Sequence, residues 1–356
     1  SLEEFDQVNM ETVSDGVVVK GKPSTVVPAK PTGYNITHSL NNLDTSLRLH
    51  YIRALYYFRK PGLEEWSIIK WKEALFYVLN LYPVIAGRLA VEEGTGRPYV
   101  KCSDNGIRFF EADCRAVLEG KNDMRDCVFE QDLCPVQPLG PDLSISPLLL
   151  IQITRFKCGG ISVGLAWAHI LVDALSAASF MNAWGEILRG KTVTTSPCMT
   201  NLFIQPAAPS WKASSEAHKR YGSTIVENFD KDIWALDNKN ALGRTTFCFN
   251  DAKIKDMVLE MQAILGGFPI TPFEMIAALI WVAIAKIRGP QGSKTLTISR
   301  DNRAAIDGSI TSSRGSYHFG NHQVFLDIED EEGGDHGSKD LSYLAKKIHT
   351  SIAKRV

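Results

Sequence analysis

The chain has no excess of charge of either sign. Its 39 basic and 40 acidic residues leave a formal net charge of -1, which removes the electrostatic case for nucleic acid and for an anionic membrane surface. Long apolar runs are missing too. The longest, 161–172 and 275–287, fall short of the roughly 20 residues a spanning helix needs. The seven cysteines, at 102, 114, 127, 134, 158, 198 and 248, are scattered and odd in number, with no pair spaced as in a zinc site or a redox dithiol. Reduced thiols in a cytosolic-type compartment are the simplest reading. The start, Ser1-Leu2-Glu3-Glu4-Phe5-Asp6, is acidic and lacks an apolar core, so no signal peptide is expected. No internal repeat is visible, and neither a metal nor a bound cofactor is expected. What remains is an ordinary globular composition, 44% apolar and 22% charged. At 356 residues it is long for one core, so two domains are expected.

Along the chain, 1–45 is polar, carries Pro23, Pro28 and Pro31, and reads as loop apart from an edge strand at 24–27. A strand is predicted over 49–58 and a helix over 64–81. A hairpin is predicted for 97–102 and 106–111 around Asp104-Asn105-Gly106. Residues 113–146 read as mostly irregular. Two strands, 148–156 and 161–168, flank the turn Lys157-Cys158-Gly159-Gly160. The Pro- and Ser-rich stretch 191–223 is the linker candidate, which divides the chain into 1–190, 191–223 and 224–356. Beyond it, strands are predicted over 244–249, 295–299 and 323–328, and helices over 252–265, 271–288 and 341–354. In the second of these helices Phe273, Ala277, Ile280, Ile284 and Ile287 share one side. The acidic run 329–332 reads as a solvated loop.

The stretch Trp167-Ala168-His169-Ile170-Leu171-Val172-Asp173 is the place for chemistry. His169 falls where a strand ends, and Leu175, Ala178, Met181, Gly185 and Leu188 mark a helix starting near Asp173. A lone histidine at a strand end is more often a packed or capping residue than a catalyst. The chemical reading is a general base, whose near-neutral pKa suits it to take a proton from an alcohol or amine attacking an activated carbonyl. Cys158 as a nucleophile paired with His169 carries little weight, because it sits at the far end of the strand. Asp173 reads either as an N-cap worth about 1 kcal/mol or as a brace through a buried arginine, with Arg300 and Arg303 as partners.

These residues resemble the plant BAHD acyltransferases, whose mark is a His-x-x-x-Asp motif. The resemblance extends to Tyr82-Pro83-Val84-Ile85-Ala86-Gly87-Arg88-Leu89, to Asn105 through Ala112, to 147–160 and 273–288, and to His318-Phe319-Gly320-Asn321, over roughly residues 25 to 328. It implies an α/β fold of the α+β type, chloramphenicol-acetyltransferase-like, with two similar-sized mixed-sheet domains and a channel between them. An acyl-CoA thioester enters the channel from one face, as co-substrate and not as a bound cofactor. The acceptor alcohol or amine enters from the other. Carried over, His169 is the general base and Asp173 pairs with Arg300. Trp167 and the Phe319-Gly320-Asn321 turn lie near the channel. A monomer is expected.

Two departures stand out. The family usually has glycine after the motif aspartate; here it is Ala174. Its C-terminal Asp-Phe-Gly-Trp-Gly motif is absent, which points to a missing C-terminal segment and an incomplete second domain. Within the family, 49–54, 101–106, 140–147 and 156–160 are similar in wording to the eceriferum/glossy group. That group works with membrane-bound condensing enzymes that lengthen very-long-chain fatty acyl chains for cuticular wax, without an evident need for the histidine. Two readings therefore stand. One is a cytoplasmic acyl-CoA-dependent acyltransferase. The other is a non-catalytic partner of a fatty-acid elongase, held at the endoplasmic reticulum surface through that partner.

Overall fold

The structure, a computed structural model, describes residues 17–48, 51–59, 67–117, 128–135, 142–199, 247, 249–289, 295–303, 316–329 and 341–353. In chain order the described elements are β1 (Val18–Lys20), β2 (Ser24–Val26), β3 (Thr37–Ser39), α1 (Asn42–Ser46), β4 (Tyr51–Phe58), α2 (Ile68–Val78), β5 (Arg88–Val91), β6 (Pro98–Lys101), β7 (Ile107–Cys114), β8 (Leu149–Phe156), β9 (Ile161–Ala168), α3 (Ala174–Leu188), β10 (Ser196–Cys198), α4 (Asp251–Ile264), α5 (Pro272–Arg288), β11 (Thr295–Asp301), β12 (Ser316–His318), β13 (Gln323–Glu329) and α6 (Leu341–Ala353). They fall into two compact units. The first is Ser1–Arg244 with Ser313–Asn321, and the second is Thr245–Ser312 with His322–Val356. Among the described residues no helix is long and apolar enough to cross a membrane.

The first unit is built on a sheet ordered β1-β7-β8-β9-β4, with β2 also on β7. β7 and β8 run parallel and the other pairs antiparallel. β8 and β9 form the expected hairpin, turning where Gly159 takes φ 83. Nearly every residue of both is buried, as suits a central strand pair. Gln152 Nε2 donates to the Asp132 carbonyl at 2.7 Å and to Thr154 Oγ1 at 3.0 Å, while Gln152 Oε1 and Ser162 Oγ are buried without a partner among the described residues. α2 and α3 pack together on this core. Trp184 Nε1 donates to the Trp71 carbonyl at 3.2 Å, and the two indoles meet edge to face at 5.4 Å.

The hairpin predicted around Asp104-Asn105-Gly106 does not form. β6 belongs to a separate three-stranded sheet, β3-β6-β5, and β7 to the large one. Both edges of each strand are already taken by other partners, so the two cannot pair. The intervening turn is bonded elsewhere. The Asp104 carboxylate accepts the Thr32 N–H at 2.8 Å, and the buried Arg88 guanidinium donates to the Gly87 and Gly106 carbonyls at 2.7 and 2.8 Å. Arg88 of the Ala-Gly-Arg-Leu segment is therefore a structural pin. The linker candidate also begins with structure: β10 lies at 196–198 and pairs in parallel with β12. Its remainder, 200–223, lies outside the described residues, as do most of the strand expected at 244–249 and the acidic run from 330 onward.

In the second unit α4, α5 and α6 pack with the β11–β13 pair around Met261, Trp281, Ile298, Leu326 and Leu344. The side of α5 that carries Phe273, Ala277, Ile280, Ile284 and Ile287 is mostly exposed. Phe273, Ile280, Ile284 and Ile287 are exposed, and Met275, Ala278 and Trp281 are buried with Glu274. α5 has apolar residues on most of its circumference, so periodicity alone could not choose the buried side.

Two glycines give opposite stability predictions. A Cβ at Gly164 in β9 would collide with the Leu133 carbonyl and come within 2.9 Å of Cys134 Cα. Gly164→Ala should cost about 1–3 kcal/mol. At Gly185 in α3 a Cβ meets nothing within 4 Å, so Gly185→Ala should raise stability by about 0.5–1 kcal/mol. Thermal melting of the two variants checks both signs.

Candidate active site

β9 ends at Ala168, and the chain makes a tight turn closed by Leu171 N–H to the Ala168 carbonyl at 3.0 Å. It then enters α3 through Asp173, the N-cap, with φ -92 and ψ 175. One carboxylate oxygen of Asp173 accepts the Ser176 N–H at 2.9 Å, so the capping reading is realised. Ala174 is the first helical residue and is exposed. Alanine is at home there, so the missing glycine has no cost to local geometry.

His169 lies in the turn, half-buried. Its Nδ1 is buried with no hydrogen-bond partner among the described residues, which leaves Nε2 as the accessible ring nitrogen. The ring is therefore not sealed on both sides.

The turn is clamped from far along the chain. Asn321 Nδ2 donates to the His169 carbonyl at 2.7 Å and to Asp44 Oδ1 at 2.9 Å. Ser176 Oγ accepts the Gly320 N–H and donates to the Gly320 carbonyl, each at 3.0 Å. Phe319 packs on Tyr82 at 5.3 Å, and Tyr82 in turn on Phe180 at 5.1 Å. His169, Asp173, Phe319, Gly320 and Asn321 thus come together, although roughly 150 residues separate the two segments. Trp167 lies wholly within the core, its ring 5.0 Å from Phe180. Arg300 lies on β11 of the second unit and is half-buried. Arg303 is buried there and donates to Asp301 Oδ1 at 2.7 Å. Cys158 precedes β9 and His169 follows it, so the whole eight-residue strand separates them, about 26 Å.

One residue of this cluster was read as loop: Asp44. It lies on α1, where Asn41 and Asp44 form a capping box. The Asn-x-x-Asp spacing was a legible cue, but nothing local says that the box is buried. Asp44 is 3% exposed. Burial pushes its carboxyl up from 3.8 to about 7, the nearby Asp173 charge adds to that, and the bonds from Asn321 and Asn41 and the charge of Arg97 oppose it. His38 on β3 is also buried, and desolvation lowers it from 6.5 to about 4. Among the described residues no group of three or more His, Cys, Asp or Glu could hold a metal ion.

The geometry sits within a wider set of likenesses. The family model described as the Transferase family matches residues 17–356. The protein ECERIFERUM 26-like of Arabidopsis thaliana is 33% identical over 300 residues, covering 82% of this chain and 67% of that protein. The omega-hydroxypalmitate O-feruloyl transferase of the same plant is 27% identical over 352 residues, covering 93% and 71%. This chain spans 62–67% of the length of the three ECERIFERUM proteins it matches. Vinorine synthase superposes with a TM-score of 0.62 at 20% identity, covering 94% of this chain and 76% of that one. TRI101 of F. sporotrichioides, solved with coenzyme A and T-2, gives 0.61 at 14% identity, covering 89% and 74%. The fold is the mixed α/β, chloramphenicol-acetyltransferase-like one, and the chain belongs to the Transferase family, the BAHD acyltransferases.

Proposed function

We propose that the protein moves an acyl group from a coenzyme A thioester to an alcohol or amine, with His169 as general base. The observation that carries this is a ring with Nε2 accessible while its main chain is clamped by Asn321. Nε2 takes the proton from the acceptor as its oxygen or nitrogen attacks the thioester carbonyl. The tetrahedral intermediate then collapses, the C–S bond breaks, and the imidazolium returns the proton to the departing thiolate. Transferases among the relatives, and coenzyme A in a structural neighbour, support the substrate class. The test is full-length protein with a panel of thioesters, from acetyl- and hydroxycinnamoyl-CoA to very-long-chain acyl-CoA. Release of free CoA that depends on an acceptor is expected. No release above the buffer rate with any of them would sink the proposal.

In the same proposal Asp173 pairs with Arg300 as a brace, beyond its role as a cap. The double-mutant cycle Asp173→Ala with Arg300→Ala should show a coupling of about 0.5–3 kcal/mol. Strict additivity leaves Asp173 as a cap only. The protein would act as a monomer in the cytoplasm.

The eceriferum likeness favours a second reading, a partner of a membrane-bound condensing enzyme at the endoplasmic reticulum. Co-expression with such an enzyme should then shift its products to longer chains, and the shift should survive His169→Ala, because binding needs a surface and no proton transfer. A shift that disappears with the histidine returns the weight to catalysis. No shift with the unaltered protein removes the second reading.

A further inference from the structure

We propose that Asp44 is a positioning residue for His169, acting through Asn321. This rests on the reading of His169 as the base.

The Asn321 amide has two N–H groups, and both are spent: one on the Asp44 carboxylate and one on the His169 carbonyl. Turning the amide over would set Oδ1 against two oxygens, so Asp44 fixes which way it faces. Nothing else does so from the other side, since Asn321 Oδ1 is buried without a partner among the described residues. Asp44 is itself held at both oxygens. Oδ2 accepts the Asn41 N–H at 2.7 Å, and Asn41 Oδ1 accepts the Asp44 N–H at 2.8 Å.

A capping box does not need burial to work; at a surface it satisfies the same two backbone donors. Here the carboxylate is taken out of water at a cost, next to a second carboxylate, Asp173, which raises that cost. The one bond that burial adds is the link through Asn321 to the histidine turn. His169 is thus held by its carbonyl and by the cap of α3, while the ring stays free to take a proton. Catalytic groups need such holding, because small displacements are costly to rate.

The test reads the ring directly and needs no substrate. Full-length protein carrying ¹³C-labelled histidine is titrated by NMR, with the His169 Cε1–H signal identified by its loss in His169→Ala. Asp44→Ala and Asn321→Ala should each move or split that signal, and do no more in combination than alone. Asn41→Ala, which removes the cap and leaves the Asp44–Asn321 bond, should lower the melting temperature and leave the signal in place. Should Asp44→Ala not fold, Asp44→Leu, which keeps the bulk and offers Asn321 no acceptor, answers the same question. An unmoved His169 signal in folded Asp44 variants overturns the proposal, as does an equal movement in Asn41→Ala. If His169→Ala retains acyl transfer while the Asp44 variants still move the ring signal, the base reading fails and the positioning link stands.

Discussion

Replacing His169 by alanine in the full-length protein should lower acyl transfer by about 100-fold or more and leave the melting temperature nearly unchanged. The first half follows from chemistry. Without a base, the attacking hydroxyl must lose its proton to water, and positioned proton transfer is typically worth about 100- to 10,000-fold. The second half follows from the site. The clamp on this turn goes to the His169 carbonyl, which alanine keeps. Among the described residues the ring makes no hydrogen bond that would be lost, since Nδ1 has no partner there, and the residue is only half-buried. Initial rates of CoA release, with parallel thermal melts, decide it. An unchanged rate removes His169 from the mechanism, and a large drop in melting temperature makes it a packing residue instead.

Asp44→Asn makes the protein's stability rise with pH between about 4 and 6.5 more steeply than in the unaltered protein, because it removes one of two opposing titrations. Asp44 loses its proton at 3.8 when unfolded and at about 7 when folded. The native state therefore binds the extra proton across that window. Its contribution to stability is fully present below about 3.8 and lost as pH rises through about 7, a change of ~4 kcal/mol. His38 works in the other sense, being 6.5 unfolded and about 4 folded. Its contribution is present above 6.5 and lost as pH falls through about 4, a change of ~3 kcal/mol. Over the shared window the two nearly cancel. Denaturant midpoints at several pH values between 4 and 7.5 should show the steeper rise in Asp44→Asn and a fall in His38→Gln, each relative to the parent. Two variants with the parent's slope would rule out both titrations.

The hairpin of β8 and β9 was legible because each strand is apolar throughout and a glycine with positive φ stands between them. α3 and its cap were legible because Asp173 sits just before a run with helical spacing. Both are settled within a few residues of chain. The partners of β6 and β7 were not, because Asp104-Asn105-Gly106 is equally good as a hairpin turn and as a corner between sheets. Which it becomes depends on the partners the rest of the chain supplies to the strand edges, here β3 and β5 for β6 and β2 and β8 for β7. The buried side of α5 was hidden for a related reason: apolar residues on most of its circumference let packing, not pattern, choose.

The sequence by itself determined several of the longer elements, the place of His169 at a strand end, the start of a helix at Asp173, and the family through motifs that keep their order. These depend on local propensity and short-range hydrogen bonds, which a few neighbouring residues encode. Only the tertiary structure decided that Asn321 clamps the His169 carbonyl, that Ser176 and Gly320 bond each other, and that Asp44 is buried beside them. Those contacts join segments 144 to 277 residues apart. No local pattern carries such information, because it is set by which surfaces the packed core leaves facing one another.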